Sequence, residues 1–335
     1  MILVTGGTGL VGSHLLYQLA LQNEDIIALH RKSSDLSSVK KVFSYYSDNF
    51  EILYSSIQWV ESDVNDVSTL SKAFKDVTFV YHCAALISFD TSDYKKMRKV
   101  NIEGTANIVN LCISNNVQKL CFVSSIAAIG KPIATGEITE NTEWNIEDNN
   151  YGYAITKYGA EMEIWRASQE GIDMVIVNPG IILGPGYWQG GSGKIFYNIY
   201  NGFKFYTKGV TGFVGVIDVV SVMMKLMKSS IKNERYILVS KNDSFKNVFF
   251  DIAKGFNKKE PTIYATKFLS EMAWRFNWIL HKLTGKTPLI TKHSAEAAHN
   301  RYYYSNNKIK KTIGFEFESI KDTIDNTCNN YLKNI

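Results

Sequence analysis

The opening run M-I-L-V-T-G-G-T-G-L-V-G-S-H-L-L constrains the fold more than any other stretch of this chain. Ile2 to Val4 form a short apolar run with β-branched members, and Leu10 to Leu21 repeat apolar residues at helical spacing. Between these two segments lie Gly6, Gly9 and Gly12. Glycines at such a junction let the backbone turn tightly and approach a pyrophosphate, which then meets the free N–H groups of the helix. Thr8, Leu10 and Val11 belong to the same turn and first helical turn, so all six residues are candidates for holding phosphate. The spacing is G-x-x-G-x-x-G rather than the G-x-G-x-x-G fingerprint. The strand–turn–helix context that the fingerprint demands is nevertheless present.

Downstream, the patterns alternate. Strands are expected at 2–5, 25–30, 57–60, 78–82, 119–124 and 172–177, with helices near 10–22, 66–75, 92–115 and 151–169. Such alternation predicts an α/β fold of Rossmann type, a doubly wound parallel sheet covered by helices on both faces. After Pro179 the regularity gives way to I-L-G-P-G-Y-W-Q-G-G-S-G-K (182–194), a loop by composition at a strand end, where ligands bind in such sheets. We expect a nucleotide-binding domain from 1–180 with returning segments near 215–240. Residues 181–214 and 241–335 are expected to form mainly a smaller C-terminal substrate-binding cap.

Tyr153 and Lys157 in Y-A-I-T-K stand four residues apart, one helical turn, on one face. An ammonium beside a phenol favours the phenolate, so the spacing predicts a lowered Tyr153 pKa and a usable proton donor or acceptor. Other classes receive no support. The net charge of +5 is small and the lysines are scattered, which argues against nucleic-acid binding. The four cysteines, Cys83, Cys112, Cys121 and Cys328, lack C-x-x-C spacing and read as reduced thiols. Histidines and acids show no metal-ligand cluster, so no metal is implied. No apolar run reaches transmembrane length and no signal peptide is evident, so a cytoplasmic protein without an integral membrane segment is expected.

Several landmarks, taken together and in order, resemble the extended branch of the short-chain dehydrogenase/reductase superfamily. They are T-G-G-T-G-L-V-G (5–12), S-D-V-N-D (62–66), H-C-A-A (82–85), V-N-I-E-G-T (100–105), F-V-S-S (122–125), Y-A-I-T-K (153–157) and N-P-G (178–180). S-N-N-K-I-K-K-T-I-G-F (305–315) is similar to a further stretch of that branch, the NAD-dependent epimerase/dehydratase family. The resemblance implies an NAD(P)-dependent oxidoreductase with Ser125, Tyr153 and Lys157 as its catalytic set and Asn101 shaping a proton relay behind the lysine. Ser124 competes with Ser125 for the serine role. The same resemblance implies that Asp63 and Val64 flank the adenine, and that Ala84, Ala85 and Pro179 contact the cofactor. Cys83 and His82 read as packing residues at the end of the fourth strand.

Cofactor preference is read from the second strand, which ends D-I-I-A-L-H-R-K-S-S. His30, Arg31 and Lys32 occupy the region where NAD-preferring folds carry an acid for the ribose hydroxyl, and a guanidinium suits a 2′-phosphate. NADP(H) is therefore expected, with Arg31 the main contact and Lys32 or Ser33 secondary, while NAD(H) stays open. The candidate pocket lining is Leu86, Ile87, Phe89, Tyr187, Trp188 and Phe213, which suits a small, largely apolar carbonyl or alcohol. Residues 209–220 contain no arginine for a sugar diphosphate, and Ile126 and Ala127 stand where dehydratases carry an Asp-Glu pair. The chain thus looks like the dihydroflavonol-reductase and hydroxysteroid-dehydrogenase side of the branch. The alternatives are a nucleotide-sugar epimerase with tightly held NAD and a non-catalytic dinucleotide-sensing protein. Homodimerisation through helices 92–115 and 151–169 is a family expectation. K-F-L-S-E-M-A-W-R-F-N-W-I-L-H-K-L (267–283) sets Met272, Phe276, Ile279 and Leu283 on one face and Trp274 and Trp278 on another. It reads first as cap packing, with a membrane-surface or dimer helix as the other reading.

Overall fold

A computed structural model describes residues 1–132, 136–148, 150–284 and 290–333, with the side chain of Leu283 outside the described set. Seven parallel strands form the main sheet in the order β3-β2-β1-β4-β5-β6-β10. They are β1 (Ile2–Thr5), β2 (Ile26–His30), β3 (Gln58–Glu61), β4 (Phe79–His82), β5 (Lys119–Val123), β6 (Asp173–Pro179) and β10 (Glu234–Leu238). The order reverses between β1 and β4, so a crevice opens at their carboxyl ends, the place where open α/β sheets bind ligands.

Strand alternation splits the core between the two faces. Ile2 and Val4 of β1, Cys121 and Val123 of β5, and Val175 and Val177 of β6 pack on one side. There they meet α1 (Leu10–Leu21), α2 (Leu36–Ser44) and α9 (Val216–Lys228). Leu3, Leu120, Phe122, Met174 and Ile176 pack on the other. There they meet α4 (Val67–Ala73), α6 (Gly104–Ser114) and α7 (Gly152–Gln169). The expected helix over 92–115 is one continuous rod with a local change of winding: α5 (Tyr94–Arg98) passes through a π-turn at Lys99–Glu103 into α6.

The cap has its own core of Leu183, Phe196, Ile199, Phe213, Ile252 and Ile324. It is assembled from a small sheet of β7 (Ile181–Leu183), β9 (Val210–Gly215) and β11 (Lys241–Ser244), and from α8 (Gly193–Tyr200), α10 (Phe245–Gly255) and α14 (Ile320–Leu332). A two-stranded ribbon of β8 (Phe205–Tyr206) and β12 (Ile263–Tyr264) leads to α11 (Lys267–Thr284) and α12 (Lys292–Ala297). The C-terminal segment is shared between the two parts. On α13 (Asn307–Ile313), Ile309 packs into the core of the main sheet, as does Phe315 beyond it, before α14 returns to the cap.

Candidate active site

At the end of β1 the chain turns through Gly6 at φ +68°, a left-handed conformation that favours glycine. A Cβ on Gly6 would lie 2.6 Å from the Ala84 nitrogen, and one on Gly12 would lie 2.2 Å from the Gly6 carbonyl oxygen. Both contacts are with backbone and cannot relax cheaply. Gly9 caps α1 in an extended conformation, and its own N–H closes the turn onto the Gly6 oxygen at 3.0 Å. The first turn of α1, with Leu10 and Val11, therefore presents free amides beside a backbone cradle that side chains would fill. A dinucleotide pyrophosphate fits this donor set.

Thr8 reaches across this turn to the loop after β2, where its hydroxyl donates to Ser34 Oγ at 3.3 Å. The same Ser34 oxygen accepts from the Arg31 N–H at 3.0 Å. Arg31, Lys32 and Ser33 are exposed on that loop. The next acid in the chain, Asp35, is committed to capping α2: it accepts from the Ser37 N–H at 2.9 Å and from the Ser37 and Ser38 hydroxyls at 2.5 and 2.6 Å. Beyond β3, Asp63 accepts from the Asn65 backbone and side-chain nitrogens at 2.9 and 3.0 Å, shaping a turn. Val64 is buried, with its carbonyl accepting from Asn107 Nδ2 at 3.0 Å. Pro179 is buried at the end of β6, while Ala85 is exposed at the crevice after β4.

The strand ends and α7 bring Ser125, Tyr153 and Lys157 together. Ser125 caps a short turn, accepting from the Ala127 N–H at 3.1 Å, and its hydroxyl acts on the Tyr153 phenol, lowering its pKa. Ser124 instead faces the Glu161 carboxylate. The lowered Tyr153 pKa expected from the lysine spacing is not what the free protein has. Burial pushes the phenol up to about 12, against the opposing hydrogen bond from Ser125. Lys157 does not offset that burial: its Nζ donates to the Val123 carbonyl at 2.7 Å and lies 4.3 Å from the Phe122 ring centre. Burial pulls Lys157 down to about 8, while Glu161 and Cys83 raise it.

Asn101 sits in the π-turn and clamps the segment after β4. Its Oδ1 accepts from the Leu86 N–H at 2.7 Å, and its Nδ2 donates to the Leu86 carbonyl and to Thr156 Oγ1, each at 3.0 Å. Behind it runs a buried chain through Thr105, His82 and Thr5. Thr105 Oγ1 donates to the Asn101 carbonyl at 2.5 Å, and His82 bonds Thr105 through Nε2 at 2.9 Å and Thr5 through Nδ1 at 2.6 Å. The Ala84 N–H donates to Thr5 Oγ1 at 3.2 Å. His82 is thus a bonded link rather than simple packing. Cys83, expected as a packing residue, is partly buried against the main core, and burial raises its thiol pKa to about 12.

Three residues of this region had a weaker signal or none. Tyr151, two positions before Tyr153, stacks on Phe89 with ring centres 5.6 Å apart and stands 6.2 Å from the Tyr153 ring. His293 of α12 lies 5.9 Å from Tyr151 and carries no sequence signal. Glu161, four residues beyond Lys157, is fully buried and accepts from Asn178 Nδ2 at 2.5 Å with Arg235 at 3.3 Å. The i+4 repeat could have found it.

The expected pocket lining divides accordingly. After β4, Leu86 is held by Asn101, Ile87 and Phe89 are exposed, and Phe89 stacks on Tyr151. Phe213 is fully buried in the cap core and does not face open space as a lining residue would, while Trp188 is partly exposed and packs edge-on against Phe196 and Tyr331. Phe213 of β9 meets Phe245 of α10, and Trp188 meets Phe196 of α8 and Tyr331 of α14. Tyr187, at φ 55°, lies on the α1 side. Burial first, then Asp35 and Tyr45, push its phenol up to about 12, with Ser13 opposing. Among the described residues, no group of three or more histidines, cysteines and acids could hold a metal.

The sequence profile of the NAD dependent epimerase/dehydratase family matches residues 2–238. A protein named putative dihydroflavonol 4-reductase from Synechocystis sp. is 27% identical over 336 residues, covering 96% of this chain and 91% of that one. Sterol demethylase protein B from Methylococcus capsulatus is 26% identical, covering 72% and 70%. Among solved structures, gox2253 superposes with a TM-score of 0.82 at 24% identity, over 100% of this chain and 98% of that one. The UDP-glucose 4-epimerase of Thermotoga maritima, solved with UDP-glucose, gives 0.78 at 20% identity over 99% of each chain. These two structures show a shared fold.

Proposed function

The chain belongs to the NAD-dependent epimerase/dehydratase family, as an NAD(P)-dependent oxidoreductase of the extended short-chain dehydrogenase/reductase type. From that premise, we propose that it works with NADP(H) on a small, largely apolar carbonyl or alcohol. The observation that carries this reading is the loop after β2, where Arg31 and Lys32 are exposed and the next acid, Asp35, is occupied in capping a helix. A 2′-phosphate would meet Arg31 there, whereas a free ribose hydroxyl would find no acid waiting at the strand end. Gly6, Gly9 and Gly12, with the amides of Leu10 and Val11, would hold the pyrophosphate. Asp63, Val64, Ala84, Ala85 and Pro179 would border the rest of the cofactor.

The cofactor supplies the hydride donor or acceptor. In reduction, a C–H bond forms at the carbonyl carbon, the C=O π bond breaks, and its oxygen takes the Tyr153 proton. Ser125 donates a hydrogen bond to that oxygen and fixes its position. Tyr153 is left as a phenolate and regains its proton from solvent by way of Lys157, along a relay that Asn101 would shape. A phenol held near 12 gives up its proton reluctantly in the free protein. Positive charge brought beside it when Lys157 turns from the Val123 carbonyl toward a bound ribose would lower that value. Phe89, stacked on Tyr151, together with the exposed Ile87 would offer an apolar and aromatic surface suited to a substrate without charge. A cytoplasmic, homodimeric enzyme is the setting this reading assumes.

The test is Tyr153→Phe assayed against a panel of hydrophobic ketones and aldehydes. NADPH binding should persist while turnover falls by at least about a hundredfold, the scale of a lost general acid. Turnover retained within a few-fold would remove Tyr153 from the mechanism.

A further inference from the structure

Helix α11 turns its apolar side outward. Phe268, Leu269, Met272, Phe276, Ile279 and Leu280 are all exposed, Phe268 at 76% and Phe276 at 62%. At about 100° per residue these six fall within an arc of about 120°. The inward side carries Ser270, Ala273, Trp274, Asn277 and His281, each partly covered. Ser270 Oγ lies 2.9 Å from His299 Nε2, beyond α12. The helix expected to pack into the cap does so only through Ser270, Ala273, Trp274, Asn277 and His281, while the Met272–Phe276–Ile279 stripe faces solvent. A helix in water normally does the reverse, and a stripe of this kind marks a surface with a partner.

What surrounds the stripe indicates the partner. Lys267, Arg275 and Lys282 lie along one flank together with the exposed Trp278. The adjoining ribbon exposes Phe203, Phe205, Ile263 and Tyr264, with Lys208 Nζ 4.8 Å from the Tyr264 ring centre. Across residues 203–208 and 263–282 there are five lysines and arginines and a single acid, Glu271, which is paired with Arg275. Aromatic and aliphatic side chains beside a basic flank are the composition of a helix lying in a bilayer interface, and anionic headgroups complement the charge. Among the described residues no helix is long and apolar enough to cross a membrane, so contact would be at the surface. A twofold contact between copies of this face is disfavoured, since antiparallel pairing would bring the Lys267 end of each copy to the Lys282 end of the other.

We propose that the outward face of α11 docks on an anionic lipid bilayer. Phe268, Met272, Phe276 and Ile279 enter the boundary between headgroups and acyl chains, while Lys267 and Lys282 meet lipid phosphates. The site mouth lies close by. His281 of α11 acts on the Asp90 carboxyl, and His293 of α12 reaches the Tyr151 ring beside Tyr153. Docking would therefore hold the entrance against the membrane surface, whichever carbonyl compound the site accepts.

The experiment is co-sedimentation of the full-length protein with sucrose-loaded vesicles. One set is phosphatidylcholine alone, and the other contains about one third phosphatidylglycerol. Partitioning should be at least about tenfold stronger on the anionic vesicles and should weaken with added salt. Both Phe268→Ser/Phe276→Ser and Lys267→Glu/Lys282→Glu should lower it by at least about tenfold, with NADPH binding and the melting temperature unchanged. The two double variants alter different chemistry, so misfolding of one leaves the other to decide. Absence of binding to anionic vesicles, equal binding to both vesicle types, or binding unaffected by the folded variants would overturn the proposal. A shift from dimer to monomer in light scattering on Phe268→Ser/Phe276→Ser, without vesicle binding, would assign the face to a second copy and overturn it equally.

Discussion

Hydrogen counting fixes the state of His82. Thr105 has one hydroxyl proton and places it on the Asn101 carbonyl, so its oxygen must accept from His82 Nε2–H. His82 Nδ1 is then unprotonated and accepts from the Thr5 hydroxyl, whose oxygen in turn accepts from the Ala84 N–H. Every bond in the chain points the same way, from the strand crevice to the π-turn that carries Asn101. Protonating the ring would turn Nδ1 into a donor and cost the Thr5 hydroxyl its acceptor, and burial together with the Lys157 charge lowers the His82 pKa to about 3. His14, buried against the Leu10 carbonyl, is lowered to about 4, with burial the larger cause. Both folded values lie below the unfolded one, so this stability is present above about 6.5 and is lost as pH falls toward the folded values. We predict a loss on the order of a few kcal/mol between pH 6.5 and 4, with the His82 ring still neutral throughout by nitrogen NMR. A His82 titration midpoint near 6.5 would refute the bonding pattern. At this scale sequence could locate His82 but could not show it as more than packing, because its partners Thr5 and Thr105 come from other elements.

Helix α7 was legible as a spacing but not as an environment. Tyr153, Lys157 and Glu161 repeat one turn apart, and the first two were evident because a phenol and an amine at that interval have an obvious use. The buried state of all three depends on β5 and β6 packing over the helix, which periodicity does not report, so the sign of the Tyr153 shift in the free protein was missed. Glu161 supports the charge on Lys157, and Arg235 and Asn178 hold the carboxylate. Lys157 loses its proton as pH rises through about 8, so NADPH binding that uses the ammonium should weaken above that pH. In Glu161→Gln the raising charge is gone, and the same decline should move to lower pH. The wild-type midpoint retained in a folded Glu161→Gln protein would separate the carboxylate from the lysine. Helix α11 shows the complementary failure: its apolar face was readable, but which way that face points is a tertiary fact.

For the whole molecule, alternation of strands and helices conveyed the parallel sheet, because each buried strand reads as an apolar run and each connection is long enough for a helix. The shared C-terminus was less legible, since Ile309 and Phe315 return to the main core through a polar, lysine-rich segment. Choice of cofactor rests on a different kind of feature, a surface loop whose charge is visible in sequence while the capping role of Asp35 emerges only in three dimensions. The most direct test of the central claim is a fluorescence titration of nucleotide-stripped protein with NADPH and NADH side by side, in wild type and Arg31→Ala. NADPH is expected to exchange readily and to bind at least about tenfold tighter than NADH, a preference that Arg31→Ala largely removes. Tight, slowly exchanging NAD(H), or a preference indifferent to Arg31, would contradict it and favour an epimerase-like use of the same fold.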